Sequence, residues 1–270
     1  MIEVVAIAGL ATVQDAGRPG HMHEGVPPGG ALVPELLARA NAGARNAPGE
    51  AAVEVIGALT IATRGPLLLA SDDGVSHPLS DGETWTIACR RARVRYLAIR
   101  GGIDVPCVLG GRGTLLVARL GGHEGRPLRK GDLLRVGDAP AWRHAPPAAP
   151  DLLKPVRVVL GPDLDRFPAS TFEALLGSPF EVSARSDRVG LRLLGPTLRR
   201  RDNDPGDADV SRPMVRGAIQ IPASGEAIVL GPDHPTTGGY PVLATAVRAD
   251  MGALMARPVG SRVRFAGSST

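Results

Sequence analysis

The chain is short of aromatic residues and of cysteine. Trp, Tyr and Phe make up only 3% of its 270 residues, so Val, Leu, Ile and Ala must fill the core. Cys89 and Cys107 are the two cysteines, and they lack metal-ligand spacing. That excludes a disulfide-stapled scaffold or a zinc module, and free thiols suit a reducing cytoplasm. Long apolar runs are missing as well. VVAIAGLA near the start is too short to span a bilayer, and Glu3 stands where a secretory leader would be basic. A cytoplasmic protein without a membrane partner is expected.

A strong excess of one charge is also lacking. Against 27 acidic residues stand 31 basic ones, for a formal charge of +4 and a pI near 9.7. No basic stripe interleaves with aromatics, so nucleic acid is not an expected partner. Arg90, Arg91, Arg93 and Arg95 read as a solvated strand or turn edge. Arg199, Arg200 and Arg201 read as neutralised by Asp202, Asp204, Asp207 and Asp209.

Three catalytic signatures are absent from the sequence. No G-x-x-x-x-G-K-[ST] phosphate loop occurs, so GGRG at Gly110–Gly113 is not a Walker motif. No G-x-S-x-G elbow occurs, and Ser224 sits in a plain turn. No Met-Lys-Met segment occurs either, so covalently attached biotin is not expected on this chain.

What is abundant is Gly, 35 residues, and Pro, 25 residues, in a composition 43% hydrophobic and 21% charged. That is a folded, turn-dense, mainly β chain with a few helices. IEVVAI at 2, AVEVI at 52, PLLLA at 66, ETWTIA at 83, VRYLAI at 94 and DLLRVG at 132 read as strands. Helices are expected after Pro34, with Glu35 in the first turn, and over 169–176. DAPAWRHAPPAAPDLLK reads as a linker. The expected organisation is a β-rich half over 1–137, a Pro/Ala-rich linker over 138–154 and a second β half over 155–270. There strands resume with PVRVVLG and recur near 179, 190, 215, 226 and in SRVRFAG.

Four stretches carry more polar groups than turns require. TVQDAGRPG and HMHEGVPPGGA hold Gln14, Asp15, Arg18, His21, His23 and Glu24 in a run that is either a rigid connection or a binding loop. His21 and His23 have no third ligand, so no metal is assigned. GGIDVPCVLGGRGT and LGGHEGRPLRKGD offer Arg112 and Glu124 among glycines whose N–H groups suit an anion, or else form hairpins at a barrel rim. SDRVGLRL holds Asp187 and Arg188. In the fourth stretch, Ile219, Ile221, Ile228 and Leu230 flank the turn Pro222–Gly225 as a hairpin. The second strand then delivers Asp233, His234, Thr236, Thr237 and Tyr240 to a glycine-containing loop.

In order and spacing these motifs, together with YLAIRGGIDVPCVLGGRGT, GAIQIPASGEAIVL and DHPTTGGYPVLAT, resemble a known family over nearly the whole chain. The family includes the anti-inhibitor KipA, the C subunit of bacterial ATP-dependent 5-oxoprolinase, and the carboxyltransferase-type region (allophanate hydrolase subunit 2 family) of urea amidolyase. The resemblance implies a cyclophilin-like β-barrel architecture in two halves, working in a complex with two further 5-oxoprolinase subunits, a KipI-like B subunit and an A subunit. It implies hydrolysis of 5-oxo-L-proline, a small-molecule cyclic amide, to L-glutamate at the expense of ATP, whose site is not located. KipA-like binding of a KipI-like kinase inhibitor, and the carboxyltransferase role of a biotin-dependent enzyme, are the alternatives.

Residue chemistry then suggests roles. Arg112, Gln220, Thr236 and Thr237 are candidate oxyanion donors, and Asp187, Asp233 and His23 candidate proton-transfer groups. Arg18, Glu124, Arg188 and Tyr240 join Gln220, Thr236 and Thr237 as candidate substrate contacts. The loop from Asp233 is expected to act with Arg112 and Asp187. The sequence departs from the family pattern at Val33, apolar where an acid is usual, at Arg212, where Glu is usual, and at Pro235, where Gln is common.

Overall fold

The computed structural model describes residues 1–201 and 211–268. The chain divides into two compact units, Met1–Pro19 with Pro28–Pro150, and Gly20–Pro27 with Asp151–Thr270.

The first unit is built on β1 (Ile2–Gln14), β2 (Ala52–Thr63), β3 (Leu67–Ser71), β4 (Ser76–Leu79), β5 (Thr84–Ala88), β6 (Arg95–Ile99) and β7 (Leu133–Leu134). They form one sheet in the order β4-β3-β6-β2-β1-β7. β1 and β2 pair antiparallel along their whole length, from Ile2 opposite Thr63 to Gln14 opposite Ala52. On its other side β2 pairs with β6 through Val53–Val55 and then with β5 through Ala58–Ala62. The apolar residues that alternate along these strands meet in a core of Val4, Val13, Val53, Val55, Ile61, Leu69, Leu97 and Ile99.

Gly9 and Gly57 face each other across the long β1–β2 pair, with φ of +111° and +110°. A Cβ on Gly9 would stand 2.3 Å from the Ile56 carbonyl oxygen, and one on Gly57 would stand 2.0 Å from that of Ala8. Only glycine fits both the conformation and the space.

Helix α1 (Pro34–Gly43) starts where Pro34 presets φ at the first turn and Glu35 meets the positive helix end. Leu36, Leu37 and Ala40 form its buried face, packed on β3 and β6. Beneath its start, the Tyr96 hydroxyl donates to Glu54 Oε2 at 2.6 Å and accepts from the Val33 N–H at 3.0 Å. Glu54 Oε2 also accepts from the Leu32 N–H at 2.7 Å. Val33 is therefore a buried core residue at the mouth of the helix.

The arginine run is not all solvated, contrary to the sequence expectation. Arg93 is buried, and Arg95 Nε donates to both carboxylate oxygens of Asp72 at 2.6 and 2.9 Å. An acid outside the run sets the environment of Arg95. Residues 138–150 have no regular structure and lie against the first unit through Ala139 N–H to the Gly101 carbonyl, Trp142 N–H to that of Arg45, and Arg39 Nη1 to that of Pro147.

The second unit contains β8 (Val156–Leu160), α2 (Ala169–Gly177), β9 (Phe180–Val182), β10 (Gly190–Leu194), β11 (Arg212–Pro213), β12 (Ala218–Gln220), β13 (Ala227–Leu230), β14 (Thr237–Gly238), β15 (Val242–Ala246), α3 (Met251–Met255), β16 (Arg262–Val263) and β17 (Phe265–Gly267). Eight strands form a sheet in the order β16-β9-β10-β13-β12-β15-β8-β17. The two strands at its ends, β16 and β17, are separated in sequence by Arg264 alone. The sheet must therefore curl into a nearly closed barrel, and the Val156 N–H binds the Arg264 carbonyl at the seam at 2.8 Å.

Val156, Val158, Phe180, Leu191, Leu193, Val229 and Phe265 are buried in this unit, and Phe180 and Phe265 meet edge to face at 5.9 Å. β15 and α3 are elements that sequence periodicity did not announce. Arg199, Arg200 and Arg201 are placed, but their expected partners Asp202, Asp204, Asp207 and Asp209 lie outside the described residues.

Candidate functional site

In the second unit, the hairpin β12–β13 pairs Ile219 with Val229 and Gln220 with Ile228, as the flanking apolar residues and the Pro222–Gly225 turn require. β13 then runs into the loop Asp233–Pro241. Asp233 is buried, and both its oxygens accept from Arg188, at 2.7 Å from Nε and 3.0 Å from Nη2. His234 is buried beside it, with Nδ1 at 2.8 Å from the Pro235 carbonyl, the geometry of a ring N–H donating to that oxygen. Burial drives the His234 imidazole below its ordinary range, and the nearby Arg216 charge adds to that.

The loop then comes to the surface as β14, whose Thr237 and Gly238 pair with Pro213 and Arg212 of β11. Thr237 and Tyr240 are exposed and Thr236 is half-buried. Gln220 lies under this ribbon, its Nε2 at 3.1 Å from the Met214 sulfur and 3.5 Å from the Tyr240 carbonyl. Close packing explains Gly238, where a Cβ would come 3.3 Å from Gln220 Nε2. The guanidinium of Arg212, a departure from the family pattern, binds buried Asp163, whose other oxygen accepts the Val242 N–H at 2.9 Å.

The loop is thus anchored at one end by Asp233 and Arg188 and at the other by Asp163, and it presents two hydroxyls and a phenol. Asp187, next to Arg188, is exposed, and its Oδ1 caps the turn through the N–H groups of Val189 and Gly190 at 2.9 and 3.0 Å. Arg188 and Asp233 meet directly, and Gln220 meets the Tyr240 backbone, whereas Thr236 and Thr237 stand outward.

His23 is exposed in the Gly20–Pro27 segment of the second unit. It lies 3.8 Å from Glu24, which His21 holds more closely at 2.7 Å. Among the described residues no group of three or more His, Cys, Asp or Glu side chains is placed to hold a metal.

Arg18, Arg112 and Glu124 belong to the first unit. There Asp15 joins two of the motifs: Oδ1 accepts from Gly17 and Gly113 N–H at 2.8 and 3.1 Å, and Oδ2 from Arg112 N–H at 2.5 Å. Arg18 is enclosed and donates to the carbonyls of Val108 and Gly113, while the Arg112 guanidinium binds the Val105 carbonyl. Of the GGRG glycines, Gly111 and Gly113 pack against protein, while Gly110 is open to solvent. A Cβ on Gly111 would meet the Gly17 carbonyl at 2.9 Å, and one on Gly113 would meet Gln14 Oε1 at 2.7 Å. They do not fit a phosphate cradle.

Glu124 is exposed and holds Arg126, which also grips Asp132 through two bonds at 2.8 and 2.9 Å. Burial works against the Asp132 carboxylate, but Arg126 and the Arg129 N–H outweigh it, so Asp132 stays below the usual carboxylate range. Beside this network lies a cavity of about 520 Å³ whose wall includes Asp104, Arg119, His123, Glu124 and Arg135. Of these only Glu124 stood out in the sequence. The LGGHEGR and GGIDVPCVLGGRGT motifs were the available signals for His123 and Asp104, and nothing local marked Arg135.

A barrel unit and a unit built on one seven-stranded sheet, each with glycine-rich polar loops, agree with what comparison to known proteins finds. Residues 24–267 match the family model described as carboxyltransferase domain, subdomain A and B. The chain belongs to that family.

Within it, the chain is 34% identical to the 5-oxoprolinase C subunit of Escherichia coli K12, over 98% of this chain and 90% of the relative. It is 30% identical to the 5-oxoprolinase C subunit of Haemophilus influenzae over the same shares. The solved urea carboxylase of Kluyveromyces lactis superposes with a TM-score of 0.88 at 27% identity, covering 99% of this chain and 27% of that one. The urea amidolyase of the same yeast superposes with a TM-score of 0.87, and this chain spans 19% of its length. The family and the mainly β, barrel-containing fold expected from the motifs hold. No helix among the described residues is long and apolar enough to cross a membrane.

Proposed function

We propose that the protein is one component of an ATP-dependent 5-oxoprolinase that, with an A subunit and a KipI-like B subunit, hydrolyses 5-oxo-L-proline to L-glutamate in the cytoplasm. The observation that carries this reading is the end-to-end match, over 98% of this chain and 90% of the relative, to proteins named as the C subunit of 5-oxoprolinase. A lactam is a weak electrophile. Transfer of a phosphoryl group from ATP to its oxygen, with release of ADP, activates the ring carbon for water; the C–N bond then breaks to leave an acyl phosphate, and a second water displaces phosphate to give the carboxylate.

This chain would supply donors to the oxygen on which charge develops, a contribution of about 10²–10³ in rate for one well-placed donor. The exposed Thr237 hydroxyl, with Thr236 and Gln220, is the candidate set in the second unit, and Arg112 is the candidate in the first. For proton transfer the candidates are Asp187, which is exposed, and Asp233, which is buried and holds Arg188 through both oxygens. His23 is the third candidate. Arg18, Glu124, Arg188 and Tyr240 are assigned to substrate contact or to holding the contact loops. ATP is consumed by the complex, and no nucleotide site is assigned to this chain.

The test is coexpression with the two partner subunits and an assay of glutamate release that depends on both ATP and 5-oxoproline. Thr237→Ala, Asp187→Ala and Arg112→Ala are each expected to lower it with the complex intact. Unchanged activity in all three would remove these residues from the site. A second reading, carboxyl transfer from a biotin-bearing partner, is favoured by the superposition on urea carboxylase. It would be supported by carboxylation activity where glutamate release is absent. Tight binding to the B subunit with neither activity would instead support a KipA-like regulator.

A further inference from the structure

The cavity of about 520 Å³ in the first unit is an open depression lined by residues of the 104–135 segment. Two arginines, Arg119 and Arg135, stand on its wall, and among the described residues neither guanidinium has a hydrogen bond or ion pair. The acids nearby are mostly engaged: Asp132 is gripped by two nitrogens of Arg126, and Glu124 by the same guanidinium. Asp104 is the wall's remaining carboxylate, against two guanidinium charges.

The backbone adds donors. Among the described residues the N–H groups of Gly121, His123 and Glu124, all on the wall, carry no hydrogen bond. Gly121, Gly122, Glu124 and Gly125 have φ of +68°, +56°, +57° and +66°, with His123 interrupting the left-handed run. Changes of hand between neighbouring residues turn successive N–H groups toward one side, which is how a backbone anion nest is built. Arg119 and Glu124 hold left-handed backbone without being glycine, at +50° and +57°. Such residues gather where a binding loop has to keep a set shape.

We propose that this cavity is a binding site for a small oxyanion, either a carboxylate or a phosphoryl group. Arg119 and Arg135 supply the charge and the 121–124 backbone supplies neutral donors. Asp104 accepts an N–H of the ligand where one is present. The assignment does not depend on which reaction the protein's complex performs.

The test is calorimetric titration of the full chain at low salt with L-glutamate as the carboxylate probe and pyrophosphate as the phosphoryl probe. Saturable binding of one probe identifies the source of the oxyanion. Arg119→Gln and Arg135→Gln are each expected to weaken it by roughly tenfold or more, the loss of one charge-assisted bond. Arg119→Gly serves as a second variant, because left-handed backbone favours glycine and the fold is kept. Arg129 lines only an adjoining cavity, so Arg129→Gln removes a neighbouring charge but no direct bond to the ligand and should weaken binding clearly less than Arg119→Gln does. The proposal is overturned if neither probe saturates, or if Arg129→Gln weakens binding as much as Arg119→Gln.

Discussion

Arg188 and Asp233 form a two-bond ion pair at 2.7 and 3.0 Å with only 4% and 5% of their side chains exposed. The Asp233 N–H also binds the Arg188 carbonyl at 3.2 Å, so backbone and side chain together tie the loop to the 187–190 turn. Removing one partner takes this two-bond contact from a buried charge, which costs about 3–5 kcal/mol. Asp233→Ala should lower the urea midpoint of the second unit by that measure, and Arg188→Met with Asp233→Leu should recover much of it. A wild-type midpoint for the single variant would mean that water already reaches the pair.

The opposed glycines Gly9 and Gly57 set a second expectation. Gly57→Ala places a Cβ 2.0 Å from the Ala8 carbonyl oxygen, a backbone atom that cannot swing away, at φ +110°. The conformation alone costs about 1–3 kcal/mol, and β1 and β2 must separate locally to relieve the clash. Thermal unfolding should show the loss, while Gly82→Ala, with nothing within 4 Å of its Cβ, tests the conformational part alone. Equal losses in the two variants would refute the close-approach account.

Much of this fold was legible in the sequence, because strand alternation and turn residues are local signals. IEVVAI, AVEVI, VRYLAI and the Pro222–Gly225 hairpin became β1, β2, β6 and β12–β13. Barrel closure followed from the family resemblance and not from local pattern, since β16 and β17 are two and three residues long and their partners lie far back along the chain. The Arg90–Arg95 run misled for the same reason: Asp72, which holds Arg95, lies 23 positions away. The residues of the Asp233 loop were visible one by one. Their division into anchors, Asp233 and His234, and exposed groups, Thr237 and Tyr240, depends on tertiary burial. The cavity wall was hidden because left-handed backbone at Arg119 and Glu124 contradicts the residue preferences that sequence reading relies on.

Tyr96 carries a third prediction. Its hydroxyl links Glu54 Oε2 at 2.6 Å with the Val33 N–H at 3.0 Å beneath the start of α1, and the ring is fully buried. Tyr96→Phe keeps the ring but leaves the Val33 N–H without that acceptor, a loss of about 1–3 kcal/mol. Hydrogen exchange at Val33 and Leu36 should accelerate accordingly. Protection unchanged from wild type would show that another acceptor replaces the hydroxyl.

His234 gives the second unit a pH dependence whose sign follows from its surroundings. Burial is the main cause that lowers its pKa below the ordinary 6.5, the Pro235 carbonyl and Asp233 oppose it, and Arg216 reinforces it. The folded state therefore holds the imidazole neutral where the unfolded chain would already be protonated. Unfolded protein binds the extra proton, so stability rises with pH through that interval. The contribution is complete above about 6.5 and is lost as pH falls from there through the folded-state value. His234→Asn keeps a side-chain N–H able to reach the Pro235 carbonyl but cannot titrate. Urea unfolding between pH 8 and pH 5 should show a smaller drop for the variant than for wild type, with the two converging toward the acid end. Identical pH profiles would mean that His234 is solvated enough to protonate in place, and the buried neutral imidazole would then have to be abandoned.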